Sequence, residues 1–174
     1  LKGGIEKLAK AVIIEKLEAW EIDEKRSEGT NLNRLETLMF IEIINKAFEK
    51  TQIQRVVIDV PDPNLQKFRL MLANLIRREG LEIVAEHYAD SKYIECSAAS
   101  VLAKVERDAS IEILKAQYGD FGSGYPSDPK CIEWLKDRLD VGELPKIVRH
   151  SWDTISVLKD KKLQKDLSRF FKKA

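Results

Sequence analysis

Apolar side chains recur every three or four residues along several stretches of the chain, a spacing that predicts amphipathic helices. These stretches are residues 5–17, 34–49, 65–79 and 97–118. Two short runs rich in valine, isoleucine or leucine, 55–59 and 81–86, predict buried strands instead. A short apolar run at 19–22 indicates a further strand, and the polar residues 24–33 indicate a loop.

Residues with strong capping preferences indicate where the predicted helices begin and end. Asn33 is a candidate N-cap, whereas Gly80 and Gly119 follow helical patterns at the position where a left-handed C-cap is favoured. Asp128, with a proline directly after it, predicts the N-cap of another helix. Ser151 is expected to begin a last, short helix.

The alternation of helices and strands between residues 34 and 86 predicts an α/β fold with parallel strands covered by helices. A length of 174 residues, of which 44% are hydrophobic, fits one domain or one domain with a small appendage. The first residue is not methionine and lies just before a helical pattern, which indicates a truncated or processed start.

Composition narrows the class of protein further. No apolar run approaches the roughly 18 residues that span a membrane, and no signal or transit peptide is visible. Cys96 and Cys131 lack metal-ligand spacing, which favours buried thiols in a reducing compartment, so we expect a cytoplasmic protein. Because the net charge is only +1, any binding of phosphate would need a local basic patch.

Two acidic residues follow the two predicted strands. Asp59 ends the first strand, and Asp90 comes shortly after the second. In open α/β sheets ligands bind beyond the carboxyl ends of the strands, where two carboxylates can hold hard divalent cations for phosphodiester hydrolysis. Taken singly, each acid is better explained as a turn residue that caps a loop, and so is Asp62.

Three later segments carry recognisable motifs. Residues 89–108 contain Asp-Ser-Lys-Tyr, Ser-Ala-Ala-Ser, Ala-Lys-Val and Arg-Asp. Residues 119–129 contain Gly-Ser-Gly-Tyr-Pro-Ser-Asp-Pro, and residues 149–154 read Arg-His-Ser-Trp-Asp-Thr. In this order, the motifs resemble those of archaeal-type ribonuclease HII, and the resemblance covers most of the chain.

The resemblance implies a ribonuclease H-like mixed sheet flanked by helices, with a C-terminal helical extension. Residues 1–120 would form the core, without its first strands, and residues 121–160 a substrate-binding helical part. Residues 161–174 would form a basic tail. The implied activity is endonucleolytic hydrolysis of the RNA strand of RNA–DNA hybrids, or of single ribonucleotides in duplex DNA. It would use two Mg²⁺ or Mn²⁺ ions and leave 5′-phosphates.

Family members hold their metal ions with four carboxylates, and this sequence matches two of them. Asp59 and Asp90 correspond to the two later aspartates, whereas the opening Asp-Glu-Ala-Gly-Arg-Gly does not occur in the sequence. Asp23-Glu24, the one Asp-Glu pair, lacks the glycine turn. The chain could be truncated, could be completed by a separate N-terminal fragment, or could be a non-catalytic hybrid-binding module tethered to a sliding clamp.

Candidate substrate contacts lie on the predicted helix and in the loop after it. Residues on one face of the helix that could bind phosphates are Ser97, Ser100, Lys104 and Arg107. The alternatives are serines that permit close packing and solvated cations. By resemblance, Tyr125 helps to detect the ribonucleotide 2′-hydroxyl; otherwise it packs its loop onto the core. Asp108 is expected to pair with Lys104, and His87 to hydrogen-bond at a strand end.

The lysine-rich tail contains a pattern typical of sliding-clamp-binding segments: glutamine, then an aliphatic residue, then two aromatic residues. The residues in these positions are Gln164, Leu167, Phe170 and Phe171. The three apolar side chains would form a plug on one helical turn that fits a pocket of the clamp. Alternatively, the two phenylalanines dock the tail onto the body of the protein.

Overall fold

The computed structural model describes residues 1–76 and 78–173, apart from the side chains of residues 166, 167 and 169–173. The elements in the described chain are α1 (Lys2–Leu8), α2 (Ala19–Ser27), α3 (Leu32–Lys50), β1 (Arg55–Asp59), α4 (Leu65–Leu75), β2 (Glu82–Glu86), α5 (Ala89–Lys92), α6 (Ile94–Tyr118), α7 (Pro129–Val141) and α8 (Asp153–Lys173). The α/β class and the C-terminal helical extension are therefore confirmed. The contacts divide the chain into two compact units.

The first unit, here called the strand unit, comprises residues 1–16 and 30–108. Its strands β1 and β2 pair in parallel, with Arg55 opposite Glu82 and Asp59 opposite Glu86. The hydrophobic core between the strands and helices α3 and α4 contains Ile44, Ile58, Val60, Phe68, Leu72, Ile76 and Ala85. Phe68 is fully buried and meets the ring of Phe40 edge-on, with ring centroids 6.1 Å apart.

The second unit, here called the helical unit, comprises residues 17–29 and the chain from 109 onwards. Helices α7 and α8 pack around a core of Cys131, Leu135, Leu139, Val148, Ile155 and Leu158. Asp128 caps α7 as predicted, since its side chain accepts a hydrogen bond from the backbone N–H of Lys130. Gly119 has the predicted left-handed backbone, with φ of +84°.

The first 33 residues contradict the predicted secondary structure. The helix expected over 5–17 is confined to α1, and the segment after it, which contains the β-branched residues Val12, Ile13 and Ile14, is neither helix nor strand. Ion pairs from Glu15 to Lys46 and from Lys16 to Glu106 attach this segment to α3 and α6. The strand expected over 19–22 and much of the loop after it are wrong, because α2 occupies 19–27.

A capping box explains why the chain is helical where a strand was expected. The side chain of Glu21 accepts a hydrogen bond from the backbone N–H of Glu18 at 2.7 Å, and Glu18 caps in return. One turn later, Asp23 accepts from the backbone N–H groups of His150 and Ser151 at 2.6 and 3.1 Å. These hydrogen bonds join α2 to the rest of the helical unit.

Several helix ends also differ from the predictions. Asn31, not Asn33, caps α3, because its side chain accepts from the Arg34 N–H at 2.9 Å. Helix α4 ends at Leu75, where Ile76 leaves the helical conformation and enters the core, so Gly80 is not its cap. Helix α8 is 21 residues long, whereas a short helix was expected.

Across the described part of the chain, no helix combines the length and apolar character needed to cross a bilayer.

Candidate functional site

Asp59 and Asp90 lie beside the carboxyl end of the parallel strand pair. Asp59 is the last residue of β1, and its Oδ1 accepts a hydrogen bond of 3.2 Å from the backbone N–H of Ala89. Asp90 follows Ala89 in the one-turn helix α5, and both carboxylates are half-buried. Burial raises the pKa of the nearby Cys96 thiol, and the charges of Asp59 and Asp90 raise it further. The fold therefore brings the two aspartates to one place.

An unusual backbone conformation at Tyr88 places Asp90 there. Tyr88 is the single described residue other than glycine with a left-handed backbone, at φ of +59°, and 76% of it is exposed. Its carbonyl accepts a hydrogen bond of 2.8 Å from the Ser91 hydroxyl, which closes the turn into α5. Such a conformation costs about 1 kcal/mol or more and is found where the surrounding structure imposes it. Sequence reasoning missed this residue.

Glu86 anchors the other end of the same turn. Its carboxylate accepts from Lys92 Nζ at 2.7 Å and from the Tyr93 hydroxyl at 3.4 Å. The Lys92 ammonium holds the pKa of Glu86 below its usual range. Sequence reasoning also missed Glu86, although its place at the end of β2, in register with Asp59, is a signal that could have identified it. His87 Nδ1 lies 3.1 Å from the Val60 carbonyl, the strand-end hydrogen bond that was expected.

Carboxylate oxygens are the ligands that Mg²⁺ and Mn²⁺ prefer, so Asp59 and Asp90 fit such ions in donor type and charge. Within the described residues, however, no group of three or more His, Cys, Asp or Glu side chains is arranged to hold a metal ion. Asp62 instead accepts from the Asn64 N–H at 2.8 Å, as expected of a turn residue. Asp59 and Asp90 thus remain the candidate metal ligands.

The four candidate phosphate-binding residues lie on helix α6, spaced so that they share a face. Ser97 and Ser100 are half-buried in its first turns, and Lys104 is exposed. Asp108 pairs with its neighbour Arg107 at 3.2 Å, so the expected partner, Lys104, was wrong. Arg107 is next to Asp108 in the sequence, whereas Lys104 lies one helical turn away. This face presents hydroxyls and cations, a combination suited to phosphate groups.

Tyr125 lies in the helical unit, in the loop before α7. The residue is 53% exposed, so the loop presents the ring to solvent and does not bury it in the core. Gly122 and Gly124, on its N-terminal side, both have left-handed backbones, with φ of +73° and +72°. Glycine reaches this conformation at little cost, which allows the tight turn that carries the tyrosine.

The candidate clamp-binding segment lies on helix α8. Gln164 is exposed there. The side chains of Leu167, Phe170 and Phe171 lie outside the described residues.

The comparison with known proteins agrees with the motifs. The family model "Ribonuclease HII" matches residues 2–155. Ribonuclease HII of Pyrococcus abyssi is 42% identical over 146 residues, which are 82% of this chain and 64% of that protein. The Pyrococcus furiosus enzyme is 42% identical over 158 residues, 88% of this chain and 68% of that protein. The chain thus spans about two thirds of the length of these relatives.

Two solved structures share the fold. One is the PCNA:RNase HII complex from Archaeoglobus fulgidus, with a TM-score of 0.75 and 36% identity over 91% of this chain and 76% of that one. The other is ribonuclease H2 from Pyrococcus horikoshii OT3, with a TM-score of 0.74 and 35% identity over 92% of this chain and 77% of that one. These likenesses confirm the ribonuclease H-like fold class. On the evidence of the family model and these relatives, the chain belongs to the ribonuclease HII family.

Proposed function

We propose that the chain is the larger part of an endoribonuclease that hydrolyses the RNA strand of RNA–DNA hybrids, or single ribonucleotides embedded in duplex DNA. The observation that supports this most is that, in a member of the ribonuclease HII family, Asp59 at the carboxyl end of β1 accepts a hydrogen bond from Ala89, the residue before Asp90. This is the place where open α/β sheets bind their ligands. We expect the protein to act on this substrate in the cytoplasm.

In this proposal, Asp59 and Asp90 would hold Mg²⁺ or Mn²⁺ between them. Bound ions would activate a water molecule and stabilise the leaving oxygen, giving 5′-phosphate and 3′-hydroxyl ends. The protein's own part is to hold the two carboxylates in place. Asp59 is fixed by the Ala89 N–H, and the turn that carries Asp90 is anchored by Glu86.

Substrate binding would use the face of α6 and the Tyr125 loop. Ser97 and Ser100 would donate hydrogen bonds to phosphate oxygens, and Lys104 and Arg107 would neutralise backbone charge. The exposed Tyr125 ring would stack on the sugar next to the ribonucleotide, where the 2′-hydroxyl distinguishes RNA from DNA.

A second candidate is a hybrid-binding module that does not cut without a separate N-terminal fragment. The observation that favours it is that, within the described residues, no group of three or more His, Cys, Asp or Glu side chains is arranged to hold a metal ion. The segment Asp-Glu-Ala-Gly-Arg-Gly, which would add two acids, is not in this sequence.

The two candidates are separated by offering the chain a labelled duplex with a single ribonucleotide, with Mn²⁺. The first predicts cleavage at the ribonucleotide, and the second predicts binding without cleavage until the missing segment is added as a second polypeptide.

In both cases, Tyr125→Ala should weaken binding of this duplex roughly tenfold, the expected cost of one lost stacking contact. An all-DNA duplex of the same sequence is the control. If the chain neither binds nor cuts the ribonucleotide duplex, both candidates are wrong.

We also propose that the tail tethers the chain to a sliding clamp. The solved Archaeoglobus fulgidus relative is in complex with PCNA, and α8 carries the glutamine-aliphatic-aromatic-aromatic pattern. Replacing Phe170 and Phe171 together by alanine should weaken binding to A. fulgidus PCNA at least tenfold or so, because buried aromatic anchors dominate such interfaces. Calorimetric titration measures the affinity.

The matched control for the tail is Leu163→Ala, which removes an apolar side chain on the same helix outside the pattern, in a residue that is 61% exposed. The clamp affinity of this variant should match that of the parent. Equal loss in both variants would mean that the helix as a whole, and not the pattern, makes the contact.

A further inference from the structure

The loop that carries Tyr125 is held by a small polar network within the helical unit. Asp128 Oδ2 accepts hydrogen bonds from both the backbone N–H and the hydroxyl of Ser123, each 2.7 Å long. Its other oxygen, Oδ1, accepts from the Lys130 N–H at 2.9 Å and so caps α7. One carboxylate therefore attaches the loop to the start of a helix whose apolar face packs into the core of its unit.

The same network fixes the backbone of Tyr125 on both sides. Its carbonyl accepts a hydrogen bond of 3.0 Å from the Asp128 N–H. Its own N–H lies 3.4 Å from the Ser123 hydroxyl oxygen, which accepts from it while donating to Asp128. The residue is 53% exposed, and the hydrogen bonds of its backbone to Asp128 and Ser123 help to fix its position.

Gly122 shows how closely the carboxylate of Asp128 fits the loop. A Cβ at this position would lie 2.5 Å from Asp128 Oδ2, closer than such atoms approach.

Asp120 makes a second connection between the loop and α7. It accepts a hydrogen bond from the Gly122 N–H at 2.9 Å and pairs with Lys130 Nζ at 2.5 Å. The hydrogen bonds from Ser123 hold the pKa of Asp128 far below its usual range, at about 2, so this carboxylate is ionised at neutral pH.

We propose that Asp128 is a positioning residue that holds Tyr125 in the orientation needed to recognise a ribonucleotide, acting through the hydroxyl of Ser123. The inference rests on the proposed function, because it needs Tyr125 to contact the substrate. It assigns to this aspartate a role in specificity beyond that of a helix cap. A rigid, correctly placed ring binds without the entropic cost of ordering its loop.

Two substitutions separate the roles of the carboxylate. Ser123→Ala removes the bridging hydroxyl and leaves the helix cap intact. Asp128→Asn keeps one acceptor oxygen, which suffices to cap a helix, but its amide nitrogen cannot accept from the Ser123 N–H. Ser123→Thr retains the hydroxyl and serves as the conservative rescue. Asn31→Ala removes a comparable cap from α3, in the strand unit, and controls for loss of stability alone.

The experiment measures binding to two duplexes of the same sequence, one with a single ribonucleotide and one all-DNA, by fluorescence anisotropy. Divalent cations are omitted so that the strand stays intact. Ser123→Ala and Asp128→Asn should lower the ratio of the two affinities about fivefold, as expected for one lost hydrogen bond. Ser123→Thr and Asn31→Ala should keep the ratio of the parent, because damage to stability affects both duplexes alike.

Two results would overturn the inference. If Tyr125→Ala lowers the ratio but Ser123→Ala and Asp128→Asn do not, the positioning role is wrong and the proposed function stands. If the parent binds both duplexes equally, Tyr125 does not recognise the ribonucleotide, and the positioning role fails together with that part of the proposed function.

Discussion

Replacing Asp59 by asparagine is expected to weaken Mn²⁺ binding by a factor on the order of 100, since removal even of groups that only orient a metal ligand costs 10- to 100-fold. Asparagine keeps the oxygen that accepts from the Ala89 N–H, so the turn should stay in place while one negative charge is lost. Asp90→Asn should behave in the same way. Binding is measured by electron paramagnetic resonance of free Mn²⁺, which does not depend on catalysis.

The matched control is Asp62→Asn, three residues further along the same connection. Asp62 is buried and accepts from the Asn64 N–H, and asparagine can keep that hydrogen bond. Its Mn²⁺ affinity should equal that of the parent. If Asp59→Asn and Asp62→Asn bind Mn²⁺ equally well, Asp59 is not a ligand, and the metal-dependent mechanism for this chain has to be abandoned.

Replacing Phe68 by alanine is expected to lower the free energy of unfolding of the strand unit by about 3–5 kcal/mol. Phe68 is fully buried in the core beneath β1 and β2 and packs edge-on against Phe40, so its removal leaves a large cavity. Leu70→Ala, on the same helix but 66% exposed, should change the free energy by less than about 0.5 kcal/mol. Urea unfolding followed by far-UV circular dichroism measures both.

A second spectroscopic signal shows which unit loses stability. The three tryptophans, Trp20, Trp134 and Trp152, all belong to the helical unit. If the units unfold independently, Phe68→Ala shifts the circular dichroism transition and leaves the tryptophan fluorescence transition where it was. A common shift in both signals would mean that the units unfold together. No shift in either would contradict the packing described for Phe68.

The sequence was most informative where local and long-range preferences agree. The strands at 55–59 and 81–86 were predicted nearly to their ends, because valine and isoleucine runs bounded by turn residues favour a buried strand. Asp128 was recognised as a cap, because a short polar residue directly before a proline strongly favours the start of a helix. The parallel pairing of the two strands was also expected from the alternation of helices and strands.

Features that depend on distant partners could not be predicted in this way. The helix found where a strand was expected over 19–22 has a local capping box, but it is also held by Asp23, which binds backbone groups of residues 150 and 151, far away in the chain. The left-handed Tyr88 was also missed, since no local preference favours that conformation for tyrosine and only the surrounding structure imposes it. The roles of Glu86 and Ser123 likewise became visible only through their hydrogen-bonding partners.

Each compact unit contains one cysteine, so the two thiols can report separately on local opening of the two units. Cys96 is buried in the strand unit and Cys131 in the helical unit, and both are free thiols. Burial raises the pKa of each, so neither should react with an alkylating reagent until its surroundings open. The rate of alkylation at each cysteine, resolved by mass spectrometry of peptides, therefore reports how often each unit opens under native conditions.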